Sequence, residues 1–198
     1  MVVYEHGDRD DNRIFLTFDD GPNTFWTLKI LDLLDKYSIK ANFFVLGQCA
    51  EIYPDILKEI YDRGHMIGNH SYSHSREIGD FQKSEDVIFK IIKVRPKFIR
   101  PPYLNVSLCG EYCAENLGED IKIINTDVFP LDYLNKADYI LDFVIKNVKN
   151  GSIILLHDGS RKQEERENRP AEMFKALPLI LEKLKDKFKF ARLDEANF

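Results

Sequence analysis

"RIFLTFDDGPN", residues 13–23, decides the fold. An apolar run stops abruptly at two adjacent aspartates, and Gly21-Pro22-Asn23 then turns the chain. Neighbouring side chains of a strand point to opposite faces. Two consecutive carboxylates therefore serve one site only if the strand ends there and lets both converge. On that reading Asp19 and Asp20 are delivered together to one edge of a sheet. The plainer alternative leaves one of them as turn chemistry alone.

Working outward, short β-like runs alternate with amphipathic stretches from end to end. After 13–18 the strand candidates are 41–46, 65–69, 97–100, 121–126, 152–157 and 188–193. Apolar spacing predicts helices over 25–37, 51–64, 80–94, 107–118, 136–151 and 171–186, the first through Leu28, Leu31 and Leu34. Pro54 falls near a helix start and Gly64 at its stop, while 171–186 reads as helix despite Pro178. Strict alternation of this kind predicts one α/β domain with a parallel sheet and helical crossovers. Residues 1–12 read as an N-terminal extension. No GxGxxG follows the first strand, which removes the main sign of a dinucleotide fold.

The bulk numbers bound the function. A chain of 198 residues suffices for one domain with its own core. A net charge of −5 argues against a nucleic-acid or anionic-membrane footprint. No stretch approaches the roughly 20 apolar residues of a membrane-spanning helix, and no h-region marks a signal peptide. Three cysteines form no disulfide framework. Cys109 and Cys113 are close enough in sequence to pair, although three buried or half-buried thiols is the simpler reading. Oligomeric state is not legible.

The reactive side chains cluster at strand ends. Asp19 and Asp20 follow the first strand, and His70 and His74 follow the third in "GNHSYSH" (68–74). Arg100 ends the fourth in "IRPPY" (99–103), Asp127 and Asp132 follow the fifth in "NTDVFPLDY" (125–133), and His157 and Asp158 end the sixth in "ILLHD" (154–158). In an α/β barrel the C-terminal strand ends form the active-site face, and a barrel gathers five loops more readily than an open sheet. His70 and His74 are four apart and share a face if the stretch is helical. With one aspartate they make a two-histidine, one-carboxylate set of the kind that holds catalytic zinc or non-haem iron. Each feature has a bland reading: a turn aspartate, a surface ion pair at Arg100, a structural His157 sharing a strand face with Leu155. Five such coincidences at one edge are required, so the functional reading prevails.

These segments resemble the NodB-like polysaccharide deacetylases, carbohydrate esterase family four, which include chitin and peptidoglycan deacetylases. "TFDDGPN" (17–23) and "NHSYSH" (69–74) look like the family's first two motifs. "RPPY" (100–103) and "ILLHD" (154–158) are similar to the third and fifth, and "LDY" (131–133) to a degraded fourth. The resemblance covers about residues 13–193. It implies a distorted (β/α) barrel of about seven parallel strands, and one divalent metal, usually zinc, held by Asp20, His70 and His74. Such a donor set also accepts cobalt and other divalent ions. Asp19 would be the general base, held by Arg100. The Tyr103 amide would stabilise the oxyanion, and Leu155 would line the pocket for the acetyl methyl. His157 would be the general acid, tuned by Asp132. The implied partner is an N-acetylated glycan, and the implied setting is secreted or cell-wall associated.

Two departures from the family pattern stand out. Tyr133 replaces the usual Trp after Asp132 and would wall a sugar site with a smaller ring. Leu104 stands where Gly is common after "RPPY", which strains the backbone if φ is positive there. Two rival readings use the same residues: a pseudo-enzyme that binds glycan without turnover, and a metal-dependent hydrolase of another small amide or ester.

Overall fold

The chain is built around β2 (Arg13–Asp19), flanked in parallel by β3 (Asn42–Val45) and β7 (Ile153–His157). The computed structural model describes residues 2–75, 79–110, 112, 121–160, 168–196 and 198. From β3 the parallel sheet continues through β4 (Met66–Asn69), β5 (Phe98–Ile99) and β6 (Lys122–Ile124) to β1 (Val3–Tyr4). The short β8 (Lys189–Phe190) pairs with the start of β2. Seven parallel strands in one α/β domain thus form the distorted barrel expected from the sequence. Strand β1 lies inside the stretch read as an N-terminal extension; two residues are too few for any periodicity to reveal them.

Around the sheet lie α1 (Trp26–Lys36), α2 (Gly47–Ile52), α3 (Pro54–Asp62), α4 (Asp80–Ile92), α5 (Ala137–Asn147) and α6 (Ala171–Leu184). The helix predicted over 51–64 is instead two, divided at Tyr53. Pro54 takes the first helical position of α3, where its missing N–H costs nothing. Helix α6 runs through Pro178, as expected. Of the predicted 107–118 helix, Val106–Cys109 is a 3-10 turn, and most of the rest lies outside the described residues, as does Cys113. Cys49 and Cys109 are buried thiols.

Period-two alternation along β2 explains the layering. Ile14, Leu16 and Phe18 face outward into the core shared with α1, α4, α5 and α6. Phe15 faces inward against Phe44, Phe98, Ile124 and Ile153, which plug the lower barrel. Above that plug the inward positions turn polar: Thr17 and then Asp19. The register of β2 on β7 pairs Phe15 with Ile153, Thr17 with Leu155 and Asp19 with His157. Two sequence-distant reactive groups therefore stand at the same height.

The remaining gap between the two ends of the sheet, β1 and β7, is bridged by the segment after β6. The Val128 amide donates to the Ile153 carbonyl at 3.3 Å, and the Leu155 amide to the Val128 carbonyl at 2.9 Å. Asp127 locks this seam by accepting from the Ile153 amide (2.8 Å), Ser152 Oγ (3.0 Å) and Arg9 Nη2 (2.7 Å).

Candidate active site

The two aspartates of the opening stretch do converge. Asp19 is the last residue of β2 and points inward, whereas Asp20 has left the strand with φ 76°. That left-handed conformation is tolerated by Asp better than by most residues, and it turns the second carboxylate onto the same side as the first. Both are buried, with 2% and 4% of their surface exposed.

Arg100 fixes Asp19. Its guanidinium is fully buried and lies over the Phe44 ring, 4.2 Å from the centroid. It donates to Asp19 Oδ1 at 2.8 Å, Thr17 Oγ1 at 2.7 Å and the Asn125 carbonyl at 3.1 Å. Burial pulls the Arg100 pKa below its ordinary value, and the Asp19 carboxylate opposes that pull. Such a pair persists because each charge is hydrogen-bonded as well as paired.

His70 follows β4 directly, and its Nδ1 donates to the Arg100 carbonyl at 2.7 Å. That bond leaves Nε2 as the unprotonated nitrogen, the form needed for a ligand. Burial, with nearby His74 in support, pushes the His70 pKa down to about 3, so the ring stays neutral. The 70–74 stretch is not helical, so the shared-face argument for His70 and His74 fails. Ser71 (φ 69°) and His74 (φ 59°) bend the chain instead. Ser71 Oγ accepts from the His74 amide at 3.1 Å, and Asp80 accepts from the Tyr72 and Ser73 amides at 3.1 and 3.0 Å. Asp80, overlooked in the sequence, is thus what shapes the histidine loop; its only signal is an acid opening a helix.

Asp20, His70 and His74 bring one donor atom each to within 4.8 Å of one another. Asp20 Oδ1 lies 3.6 Å from His70 Nε2 and 3.8 Å from His74 Nε2, too far for hydrogen bonds. It is buried and has no hydrogen-bond partner. Three tetrahedral ligands about 2.0–2.1 Å from one ion stand roughly 3.3 Å apart, close to these spacings. A buried carboxylate oxygen left unbonded between two imidazole nitrogens is a donor set that fits a divalent cation.

On the neighbouring strand β7, Asp132 engages His157 twice. Its Oδ2 accepts from the His157 amide at 2.9 Å, and Oδ1 meets Nδ1 at 2.8 Å. Burial favours the neutral ring, but Asp132, by charge and hydrogen bond, and then Asp20 and Asp19 outweigh it, raising the His157 pKa to about 9. The loop carrying Asp132 turns at Leu131 (φ 51°) and is tied by Asn135 Nδ2 to the carbonyls of Pro130 and Leu131, at 2.9 and 3.1 Å. The altered fourth segment therefore still brings its acid to the histidine.

Asp19, Asp20, His70, His74 and His157 line a cleft of about 390 Å³, together with Tyr103, Leu104, Tyr133 and Leu155. The Tyr103 ring packs edge-on to His74 at 4.6 Å, and Tyr133 edge-on to His157 at 5.3 Å. Tyr103 and Leu104 both have positive φ, 58° and 56°. Phe129 and Arg169 also line the cleft, the Arg169 guanidinium stacking on Tyr133 at 4.5 Å. Neither was singled out in the sequence; Phe129 lies just before the Asp132 segment, and Arg169 ends the charged stretch 161–170. Arg100 and Asp132 stand behind Asp19 and His157 and are not part of the lining, and two further residues expected at this edge do not reach the cleft. Asp127 serves the barrel seam, and Asp158 is buried behind the Asp19–Asp20 turn.

Residues 6–118 match the polysaccharide deacetylase family model. The chain belongs to that family. It is 38% identical over 157 residues to a peptidoglycan-N-acetylglucosamine deacetylase of Bacillus cereus, an alignment covering 73% of this chain and 55% of that protein. The chain thus spans about half the length of that relative. A solved peptidoglycan N-acetylglucosamine deacetylase, in complex with 4-naphthalen-1-yl-N-oxidanyl-benzamide, superimposes with a TM-score of 0.85 and 33% identity, over 98% of this chain and 92% of that one. A family 4 acetyl xylan esterase from Clostridium thermocellum, solved with a cobalt ion, gives a TM-score of 0.77 and 33% identity over 92% and 89%. Among the described residues, no helix of this family member is long and apolar enough to cross a membrane.

Proposed function

We propose that this chain is a metal-dependent N-deacetylase that hydrolyses the acetamide of N-acetylglucosamine residues in a chitin-like or peptidoglycan-like glycan. The observation that carries this reading is the meeting, in one cleft and on neighbouring strands, of the Arg100-held Asp19 and the Asp132-held His157. Asp20, His70 and His74 would hold the cation, zinc or cobalt by the chemistry of the donors. A divalent ion there acts as a Lewis acid, acidifying the attacking water and polarising the acyl oxygen.

Asp19 takes the proton of the attacking water, and Arg100 keeps its carboxylate aimed at that point. The Tyr103 amide donates to the developing oxyanion, a contribution for which loss of one donor costs roughly 2.7–4 kcal/mol. An amine leaves poorly unless protonated. His157, kept cationic by Asp132, supplies that proton from the neighbouring strand. Leu155 forms the apolar floor for the acetyl methyl, and Tyr133 offers a ring face to the sugar. The named activities of the relatives support an N-acetylated glycan as partner and a secreted or cell-wall setting.

Acetate release from an N-acetylglucosamine oligomer tests the reading. Release should be abolished by chelation, restored by zinc or cobalt, and reduced at least 100-fold by Asp19→Asn. Zinc binding without any release would favour the pseudo-enzyme reading. Release from a generic acetyl ester alone would favour an esterase, the named activity of one structural neighbour.

A further inference from the structure

We propose that Asp158 is a positioning residue that holds the Asp19–Asp20–Gly21 turn in place from the strand end that carries His157. The proposal rests on the roles given above to Asp19 and Asp20. Asp158 is 1% exposed and takes no part in the cleft. Its carboxylate Oδ2 accepts from Thr27 Oγ1 at 2.6 Å, and the carboxyl group packs directly against Gly21. Its own amide donates to the Asp19 carbonyl at 3.2 Å, and its carbonyl accepts from Asn23 Nδ2 at 2.5 Å. Thr27 Oγ1 in turn accepts from the Asn23 amide at 2.9 Å. One residue therefore bonds the turn at Asp19 and Asn23, on either side of Asp20, and packs against Gly21 between them.

The two turns interlock at van der Waals distance. A Cβ at Gly21 would lie 2.1 Å from Asp158 Oδ2, and one at Gly159 would lie 2.5 Å from the Asp20 carbonyl oxygen. Only glycine permits either approach. Placing a carboxyl group there is costly. Burial first, then Asp20 and Asp19, raise the Asp158 pKa to about 7 against the Thr27 hydroxyl and Gly21 amide, and Oδ1 is buried without a partner. A neutral side chain would be cheaper if the position only filled space. The carboxyl group instead packs against Gly21, which follows the ligand carboxylate, where a shift moves both the base and the ligand. Because the same tripeptide carries His157, base and acid are referenced to one another through Asp158.

The test uses Asp158→Ala, Asp158→Asn and Thr27→Val. Zinc affinity is measured by competition with a chromophoric chelator, kcat and KM are measured at saturating zinc, and folding is checked by circular dichroism. Partners of this kind affect metal affinity or activity by roughly 10–100-fold. Asp158→Ala should weaken zinc binding by about that factor and lower kcat, with KM within about twofold. Asn should recover part of the loss, since its oxygen still accepts from Thr27 Oγ1. Thr27→Val should move zinc affinity the same way by less. Unchanged zinc affinity in folded Asp158→Ala, or a KM change alone, overturns the proposal. If Asp158→Ala does not fold, unchanged zinc affinity in both other variants overturns it. Zinc affinity does not depend on substrate, so weakened zinc binding without acetate release from the wild type would sink the deacetylase reading and leave the positioning role standing.

Discussion

His157 shows how far one residue's chemistry depends on its neighbours. An isolated buried imidazole would be neutral, and therefore useless as an acid at neutral pH. Asp132 reverses that by accepting from both the ring and the backbone of the same residue. With its pKa raised to about 9, His157 stays cationic through the neutral range and loses its proton only above it. A cation bound at Asp20 would offset part of this, because its charge opposes the contributions of Asp20 and Asp19. The kcat–pH profile should therefore fall on an alkaline limb. In Asp132→Asn that limb should move down by more than one pH unit, with kcat at pH 8 reduced about 10–100-fold. An unmoved limb would show that Asp132 does not set the acid. The pairing of these two residues was legible in the sequence as two motifs. Their contact was not, because it depends on Leu131 adopting a positive φ that no local rule assigns to leucine.

Among the elements, the 3-10 turn Pro102–Leu104 carries the most stored strain. Two consecutive non-glycine residues sit at positive φ, each at a cost of order 1–2 kcal/mol. The turn is retained where the Tyr103 amide and ring border the cleft, which fits strain held at functional sites. Two substitutions at Leu104 separate strain from packing. Ala removes the side chain and keeps the strain, whereas Gly removes both. Leu104→Gly should therefore be more stable than Leu104→Ala by about 1 kcal/mol in urea unfolding, the reverse of their order at ordinary positions. Ala proving the more stable would mean that the turn relaxes without its leucine. Legibility at this scale followed length. Long apolar runs such as 13–18 and 152–157 were readable, and their alternation with helical stretches gave the barrel. Strands β1, β5 and β8 have two residues each, so their full extent comes from tertiary pairing. Asp127 was misplaced because distance from a strand end does not reveal whether a side chain faces the cleft or the seam. His70 and His74 do meet beside Asp20, but on a bent backbone and not on the helix that the spacing argument assumed.

For the whole molecule, burying so many ionisable groups ties stability to pH in a definite way. Burial depresses His65 to about 4 and His70 to about 3. Each binds fewer protons folded than unfolded between that value and 6.5, so each withdraws stability as pH falls below 6.5. Asp158, raised to about 7, and His157, raised to about 9, do the opposite. Both hold their protons more tightly when folded, so the stability they contribute is lost as pH rises through those values. Below 6.5 two histidines outweigh one aspartate; above it only losses remain. Metal-free protein should therefore be most stable near pH 6–7. A bound cation changes mainly the alkaline side, because its charge lowers the proton affinity of Asp158 and His157 and offsets part of the loss. At zinc 100-fold above Kd the gain is about 2.7 kcal/mol, or roughly 5–10 °C in Tm for a domain of this size. The gap between zinc-loaded and chelated protein should widen from pH 6 to pH 8.5 in thermal unfolding. A gap that stays constant or narrows would mean that the cation does not sit within reach of these two groups, and would move the metal away from Asp20, His70 and His74.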